Sequence, residues 1–401
     1  MSPKRDRRGE LNFLCLPREG TSPDNRAMDR QPHSSMVTGS VRFASATTLG
    51  VRALLCMALG WTVSSARGES PQIVGEAPAV VTERNLPNLG TTTLGGNQFW
   101  TDELVFRGWR IQRNVLTGHC RLLDERDFRR AWGTFEQCRG RLDELKQELD
   151  LRPMSGPIVM TLHGIIRYRS VMEGIGAHLQ EEGGYTWLNV SYASTRRTLD
   201  EHAESLAHVI DAIEGDDEIN FVCHSLGNLV LRRYLGEATT EAPRWQVDPR
   251  IKRIVMIAPP NQGAQFAELF KNNKLVGMIW GPCCKQLASE WPELEKRLAI
   301  PQQQFGIIAG GRGNLQGMNP LVEGDDDIVL SIEETRLPGA RDFAVVNRRH
   351  GQLMDDPQVR KLTLRFLQHG YFRSEETREP IVDGEAPSPI LTNEGPALVS
   401  P

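Results

Sequence analysis

The stretch EINFVCHSLGNLVLRRYLGE, residues 218–237, decides the fold. Its first part is apolar and predicts a short buried strand over residues 219–222. Its last part places Leu229, Val230 and Leu235 at helical spacing and predicts a helix. A tight turn between them carries Ser225. Such a turn lifts the serine hydroxyl above the sheet edge, near the positive end of the helix dipole.

This turn is open to two interpretations. Small residues two positions before and after the serine let the strand and the helix pass closely. Gly227 meets this requirement, whereas Cys223 stands where glycine is usual. On the first interpretation Ser225 is a nucleophile. On the second it only caps the N-terminus of the following helix.

The composition of the chain excludes several classes of protein. The 401 residues are 39% hydrophobic and 24% charged, as in a soluble protein with a large core. A net charge of −4 gives no support for a nucleic-acid partner. The seven cysteines have no regular spacing and no CxxC pair, so they indicate neither a disulfide framework nor a zinc site. We expect the adjacent Cys283 and Cys284 to be reduced.

The N-terminal region, residues 1–66, resembles a disordered segment followed by a secretory signal. Residues 1–35 are polar and predict disorder. The apolar run 53–63 follows two arginines and precedes small residues, which is the pattern of an exported protein. Met28 or Met36 as the true start gives a signal of ordinary length. The alternative is a buried apolar helix in a cytoplasmic protein.

The next two segments precede the main domain. Residues 67–98 contain many turn-forming residues and predict a linker. Residues 99–150 predict a strand-helix extension, with one or two strands over 99–124. Apolar residues then recur at helical spacing from Phe128 to Leu149, which predicts an amphipathic helix of about six turns. We expect this helix to pack on the main domain, and a role as a lid over the site is left open.

The main domain, residues 151–373, alternates strands with helices, which predicts an α/β fold with a doubly wound, mainly parallel sheet and flanking helices. The tail, residues 374–401, is rich in Pro and Glu and predicts disorder. The predicted strands are 158–162, 185–192, 219–222, 252–258, 304–310 and 342–346, and the predicted helices are 168–183, 199–215, 226–237 and 357–370.

A nucleophilic serine needs a base, an acid that orients the base, and two donors for an oxyanion. His350 is the candidate base, because it follows a predicted strand and precedes the last helix, while the other histidines lie in helices, in turns with another role or in the N-terminal part. The candidate acid lies in Asp325-Asp326-Asp327, with the other two expected to be solvated. These carboxylates precede an apolar run, 328–330, that predicts a strand. A calcium loop is a rival, but it lacks the alternating ligand spacing.

The oxyanion donors should be two backbone N–H groups. Leu226 directly follows the serine and supplies the first. Ile165 lies in the turn after the first buried strand of the main domain and supplies the second.

Several motifs then occur in order along residues 157–372. They are LHGI at 162–165, HSLGN at 224–228, APPNQG at 258–263, GIIAG at 306–310, SIEETRLPG at 331–339, LMDDP at 353–357 and LRFLQHGYF at 364–372. With them the chain resembles the lipase-like α/β-hydrolases, the bacterial triacylglycerol lipases and their esterase relatives. The resemblance implies the α/β-hydrolase fold and a Ser-His-Asp triad.

The resemblance also implies which carboxylate is the acid. Counting back from Leu337-Pro338-Gly339 places the acid of the family on Asp327. Members of the family often have a glycine directly after the acid, and this chain has Ile328, which leaves Asp326 as an alternative.

The function that the resemblance implies is hydrolysis of a carboxylic ester, with Ser225 as nucleophile, His350 as base and Asp327 as acid. It implies no cofactor and no metal, a small-molecule or lipid ester as substrate, and leaves contact with a membrane surface open. The oligomeric state is not indicated. Two rivals are an amide or thioester hydrolase with the same triad and a non-catalytic protein that binds a lipid or a partner on a hydrolase scaffold. A fluorophosphonate probe separates the last of these from the enzymes.

Overall fold

A computed structural model describes residues 98–265, 274–314 and 316–382, without the side chains of residues 274–279. All of them lie in the second of the two units into which the chain divides, Glu83–Pro401. The predicted signal segment, all but the last residue of the predicted linker, and residues 383–401 lie outside the described residues, so those predictions stay predictions.

The described chain begins with an antiparallel sheet in the order β1-β2-β3-β4, which is followed by a helix, α1. Its apolar face carries Ile111 and Leu122 and is covered by Leu142 and Leu145 of α1. The elements are β1 (Trp100–Phe106), β2 (Trp109–Asn114), β3 (Cys120–Leu123), β4 (Arg129–Gly133) and α1 (Phe135–Glu148).

The predicted helix over 128–149 is wrong in its first part. Residues 129–133 form β4, which pairs with β3, and α1 begins only at Phe135. The Thr134 hydroxyl accepts a hydrogen bond from the Gln137 N–H and so caps α1. The helix packs mainly on β3 and β4, and it also contacts the main domain, where Lys146 pairs with Glu214 at 2.9 Å. The pairing of residues 129–133 with β3 overrode the helical spacing of their apolar side chains.

The main sheet follows, in the order β10-β9-β8-β7-β5-β6, and every pairing in it is parallel. Its strands are β5 (Ile158–Leu162), β6 (Thr186–Val190), β7 (Ile219–His224), β8 (Ile251–Ile257), β9 (Gln304–Gly310) and β10 (Asp342–Val346). The helices between and after them are α2 (Glu173–Gly183), α3 (Leu199–Asp211), α4 (Leu226–Gly236), α5 (Lys274–Ser289), α6 (Trp291–Glu295), α7 (Ile332–Thr335) and α8 (Pro357–His369).

Helices cover both faces of the main sheet, as the sequence predicts. Residues of α2 and α8, among them Leu179 and Phe366, share a core with Val222 on one face. Residues of α3 and α4, among them Leu206 and Leu229, belong to a second core on the other face. The last helix has the predicted ends, since the Asp356 carboxylate caps its first N–H groups and Gly370 ends it in a left-handed conformation.

A buried carboxylate joins the two sheets. The Asp102 carboxylate on β1 accepts a hydrogen bond from Arg110 Nη1 at 2.7 Å and another from the Ser191 N–H at 2.7 Å. The Asp102 N–H in turn donates to the Ser191 carbonyl oxygen. Since Ser191 directly follows β6, the antiparallel sheet is fixed to the edge of the main sheet where β6 ends.

Two further expectations differ from the structure. The run 328–330 is not a strand, because it lies in a turn that the Asp327 carboxylate organises. The sequence predicts disorder from residue 374, but Ile381 packs on the main domain. Its N–H donates to Ala340, and its carbonyl accepts from Gly339.

The strand order places a crevice at the carboxyl ends of β5 and β7. Beside β5, β6 lies on one side, and β7 and the later strands lie on the other. The chain therefore reverses direction across the sheet at that point, which is where open α/β sheets bind ligands. The chain has the α/β-hydrolase fold. No helix in the described ranges combines the length and apolar character needed to cross a membrane.

Candidate active site

Ser225 lies at the end of β7 in a strained backbone conformation, with φ 52° and ψ −121°. The strain is held by hydrogen bonds on both sides of the residue. Its N–H donates to the Ile257 carbonyl at 2.9 Å, and its own carbonyl accepts from the Asn228 side chain at 3.0 Å. A serine in this conformation projects from a sharp strand-to-helix turn, and such strain is found at functional sites.

The interpretation of Ser225 as a simple helix cap is wrong. Its side chain makes no capping hydrogen bond to α4. Gly227 is required by the close passage of α4 over β5, since a Cβ at this position would lie 2.7 Å from the Leu162 carbonyl oxygen. Cys223, where glycine is usual, is fully buried in the sheet, and burial raises the pKa of its thiol well above the ordinary value.

The candidate acid and base are in direct contact. Asp327 Oδ2 lies 2.8 Å from His350 Nδ1. The other oxygen of Asp327 accepts the N–H groups of Val329 and Leu330, so the carboxylate is fixed and fully buried. Because a carboxylate accepts hydrogen bonds, Nδ1 carries the proton and Nε2 of His350 is left as the basic atom. The backbones are also joined, since the His350 N–H donates to the Asp327 carbonyl.

Asp325 and Asp326 have a different role, and the expectation that they are solvated is wrong. Both side chains are buried. Asp325 accepts backbone N–H groups of residues 312–314, and Asp326 accepts those of Met318, Asn319 and Ile328. Asp326 therefore holds the loop before the acid, and the carboxylate that contacts His350 is that of Asp327.

Ile328 stands where the resemblance to the lipase-like hydrolases implies a glycine. Its φ is +89°, a conformation that is open to glycine but strained for a β-branched residue. The Asn319 side chain donates to its carbonyl at 2.7 Å, and Asp326 accepts its N–H at 2.6 Å. These two bonds keep the strained turn in place, and Asp327 contacts His350 even with isoleucine at position 328.

The turn after β5 lies against the serine. A Cβ added to Gly164 would be 3.1 Å from Ser225 Cβ. The carbonyl of Gly164 accepts a hydrogen bond from His163 Nδ1 at 2.8 Å. Since a trans peptide is planar, with its C=O and N–H in opposite directions, this bond fixes the direction of the Ile165 N–H. Leu226 is the first residue of α4, so its N–H has no acceptor within the helix.

His224 contacts His350, the candidate base. Its Nε2 lies 3.1 Å from the His350 carbonyl oxygen, and the two rings are 4.8 Å apart. Because a carbonyl oxygen only accepts, Nε2 carries the proton. Nδ1 has no partner among the described residues. Burial and the nearby His350 and Arg167 hold the pKa of His224 well below its ordinary value, so this ring is neutral.

Two more neutral histidines lie behind the turn after β5. Burial lowers the pKa of His163 to about 4 and that of His202 to about 3. His163 stacks on Tyr192, whose hydroxyl donates to the His163 carbonyl, and the edge of His202 meets the same tyrosine ring. Both ring nitrogens of His202 lack a hydrogen bond within the described part of the chain. The turn is thus supported by rings that must remain uncharged.

The structure brings the five predicted residues to one rim of the sheet. Ser225 and Leu226 follow β7, Ile165 follows β5, His350 follows β10, and Asp327 lies in the loop after β9. The Ser225 hydroxyl makes no hydrogen bond to the His350 ring in the described residues, a contact that often tightens only with bound substrate. Sequence reasoning missed the supporting role of His224, although its position directly before the serine was a usable signal.

No cluster of His, Cys, Asp and Glu side chains within the described ranges could hold a metal ion. The candidate site therefore consists of a serine, an imidazole held by a buried carboxylate, and two backbone N–H groups. This set of groups can carry out acyl transfer by nucleophilic attack.

The chain is similar to one family of protein domains and to several solved structures. A family described as a domain of unknown function, DUF7379, matches residues 134–288, a range that includes Ile165 and Ser225 but ends before Asp327 and His350. No curated protein matches the chain. A lipase of Bacillus licheniformis, BlEst2 in its propeptide form, is similar in structure, with 14% identity, 59% of this chain covered and a TM-score of 0.42. The chain spans 54% of that lipase.

Two smaller proteins are similar over most of their own length. The carboxylesterase CesB of Bacillus subtilis has 16% identity and a TM-score of 0.33, with 54% of this chain and 85% of that protein covered. A hydrolase of Oleispira antarctica has 11% identity and a TM-score of 0.34, with 54% of this chain and 93% of that protein covered. These identities and TM-scores are too low to assign an activity to this chain.

Proposed function

We propose that this protein is a serine hydrolase that cleaves carboxylic esters, as lipases and esterases do. The observation that carries the proposal is the 2.8 Å contact between His350 and the buried Asp327. The His350 carbonyl is bonded to His224, which directly precedes a serine in the strained turn after β7. A buried carboxylate that accepts Nδ1–H sets the tautomer of the imidazole and stabilises its charged form. A histidine with only a structural role does not need a buried carboxylate that accepts its Nδ1–H.

The proposed reaction has two halves. Ser225 Oγ attacks the acyl carbon while His350 Nε2 takes its proton, and the Ile165 and Leu226 N–H groups hold the negative oxygen that forms. The tetrahedral intermediate collapses, the C–O bond to the alcohol breaks, and the imidazolium protonates the leaving alkoxide. Water then attacks the acyl-enzyme in the same way, and the acid product leaves with Ser225 restored. The proposed reaction uses no cofactor.

The test is hydrolysis of p-nitrophenyl esters by the purified chain and by two variants. Ser225→Ala removes the proposed nucleophile and should lower kcat by about 10⁴-fold or more, the size seen when a triad serine is removed. Ser170→Ala changes an exposed serine in the 3₁₀ turn Arg169–Met172 and should leave kcat unchanged. Equal rates for wild type and Ser225→Ala would rule out the proposal.

The choice of an ester over a thioester or an amide is tested on acyl-matched substrates of the three kinds. Alkoxide, thiolate and amine leaving groups all fit a general acid at His350, so the panel measures which bond the site cleaves fastest. A higher kcat/KM for the thioester or the amide would change the scissile bond that we propose and leave the proposed triad as it is.

Export is a separate part of the proposal and rests on the sequence of residues 42–66. A reporter enzyme fused after Gly68 should be delivered outside the cytoplasm, and one fused to a chain that lacks the apolar run 53–63 should stay inside. A reporter that stays inside in both cases would contradict export.

A further inference from the structure

Arg167 links the turn after β5 to the residue after the candidate base. Its N–H donates to the Gly164 carbonyl at 3.3 Å, and its carbonyl accepts from the Gln98 side chain at 3.3 Å, so its backbone is held in the turn. A Cβ added to Gly351 would lie 2.7 Å from Arg167 Nη2. The guanidinium therefore packs against the backbone next to His350.

The charge of Arg167 has no protein counter-charge among the described residues. Its side chain is partly buried, yet it makes no ion pair and no side-chain hydrogen bond there. Its neighbours differ in this respect, because Arg169 pairs with Asp127 at 2.7 Å and Arg348 pairs with Asp356 at 2.5 Å. The carboxylate of the candidate site, that of Asp327, already accepts hydrogen bonds on both oxygens.

The positive charge of Arg167 affects a residue of the candidate site. Arg167 is one of the causes that lower the pKa of His224, the residue that precedes Ser225 and supports His350. A guanidinium that is partly withdrawn from water loses solvation, and that loss is compensated when it binds an anion. Its planar donors fit the two oxygens of a carboxylate or a phosphate. Arg167 lies beside the turn whose Ile165 N–H is proposed to hold the oxyanion. A substrate bound in the crevice can therefore place an anionic group against the guanidinium.

We propose that Arg167 binds an anionic group, a carboxylate or a phosphate, which the substrate carries in addition to its scissile ester. This inference rests on the proposed function and adds the substrate class: esters of acids or alcohols that bear a negative charge. Arg167 is in this view a specificity residue, and the reaction itself is carried out by Ser225 and His350.

The rival to this inference is a purely structural role in which Arg167 only supports the loop at Gly351. Loss of such support would slow the hydrolysis of all esters alike. Loss of an anion site slows anionic esters more than neutral ones. The informative quantity is therefore the ratio of kcat/KM for an anionic ester to kcat/KM for a neutral ester of the same length.

The experiment compares the p-nitrophenyl half-esters of succinate, glutarate and adipate with neutral p-nitrophenyl esters of matched chain length. For the half-ester of the best-fitting length, the ratio should exceed unity in the wild type and fall by about tenfold or more in Arg167→Gln. Arg167→Lys, which keeps a charge but loses the planar fork, should retain part of the ratio. Arg139→Gln, which removes an exposed arginine on α1, is the matched control and should leave the ratio unchanged.

The two sources of the anion are separated by a second comparison. Release of acid from short-chain phosphatidylglycerol and from phosphatidylcholine of the same acyl length measures whether a lipid headgroup or a free carboxylate is preferred. Both phospholipids carry a phosphate, but only phosphatidylglycerol has a net negative charge. An advantage of phosphatidylglycerol that is lost in Arg167→Gln identifies the lipid, and an advantage confined to the half-esters identifies the carboxylate.

Two results would overturn the inference. The first is a wild type that prefers no anionic substrate, neither a half-ester of any chain length nor phosphatidylglycerol. The second is a preference that Arg167→Gln leaves unchanged. If neither anionic nor neutral esters are hydrolysed, the proposed function fails instead. Calorimetric binding of glutarate and of inorganic phosphate to the wild type and to Arg167→Gln then decides the anion site alone. Binding lost in the variant supports the site, and absent or equal binding refutes it.

Discussion

The ring of His224 holds the backbone of His350, with 3.1 Å between its Nε2 and the His350 carbonyl oxygen. The residue before the proposed nucleophile thus positions the residue that is proposed to activate it. This bond crosses from β7 to the loop after β10, so it joins two parts of the site that are distant in the sequence.

His224→Leu should lower kcat/KM for esters by about tenfold to a hundredfold, because it leaves a mostly buried carbonyl without a donor and frees the His350 loop. His224→Gln places an amide N–H where Nε2 was and should recover part of the loss. Initial rates on p-nitrophenyl butyrate, with a circular dichroism spectrum of each variant, provide the measurement. Equal losses in the two variants would show that the hydrogen bond is unimportant.

The choice between Asp327 and Asp326 as the acid can be tested by a matched pair of variants. Asp327→Asn should lower kcat by about 10⁴-fold, because an amide no longer fixes the tautomer of the imidazole. Asp326→Asn weakens the three hydrogen bonds that hold the loop before the acid, so it should lower the melting temperature and lower kcat far less. A larger loss of kcat in Asp326→Asn than in Asp327→Asn would reverse the assignment.

Ile328→Gly should stabilise the protein by about 1 kcal/mol or leave its stability unchanged, although glycine costs entropy on folding. The reason is the φ of +89°, which strains isoleucine and not glycine. Val329→Gly is the control, because Val329 is not among the residues of positive φ and gains no relief. Urea denaturation gives both free energies of unfolding. A loss in Ile328→Gly as large as that in Val329→Gly would contradict the account of the strain.

Protein stability should fall as the pH drops below about 6.5, the ordinary pKa of histidine. The folded protein keeps His163 and His202 neutral down to about pH 4 and about pH 3, while the unfolded chain takes up protons from pH 6.5 downward. Each such ring therefore lowers the free energy of unfolding by up to about 1.4 kcal/mol per pH unit in that interval. Above pH 6.5 the contribution of the two histidines to the free energy of unfolding does not change with pH.

His202→Leu tests this pH dependence, because both nitrogens of His202 lack a hydrogen bond in the described residues and leucine leaves no polar partner behind. Urea denaturation at pH 7, 6 and 5 should show a shallower decline for the variant than for the wild type. Parallel curves would show that His202 does not remain neutral in the folded protein.

The sequence predicted the central elements of the fold well, for physical reasons that particular residues show. Residues 219–222 and 304–310 are apolar runs of strand length and form β7 and β9. The last helix begins at Pro357 after the Asp356 cap and ends before Gly370, as its end signals predict. Strong local signals of this kind agree with the long-range packing, so the sequence alone was enough to predict these elements.

The errors occur where a strand partner or a side-chain hydrogen bond overrode the apolar pattern. Trp132 fits the helical spacing of α1, but it pairs with Arg121 across β3 and β4. The apolar run 328–330 is the length of a strand, but it turns around the Asp327 carboxylate. The environment of Arg167 likewise had no local signature, since its neighbour Gly351 is distant in the sequence.

The central claim is that Ser225 is a nucleophile activated by His350, and its most direct test is covalent labelling. A fluorophosphonate probe is added to the native protein, and the modified peptide is identified by mass spectrometry. The account predicts one adduct, on Ser225, that is absent from Ser225→Ala and forms far more slowly in His350→Ala. Folded wild-type protein that remains unlabelled, or an adduct on another serine, would contradict it.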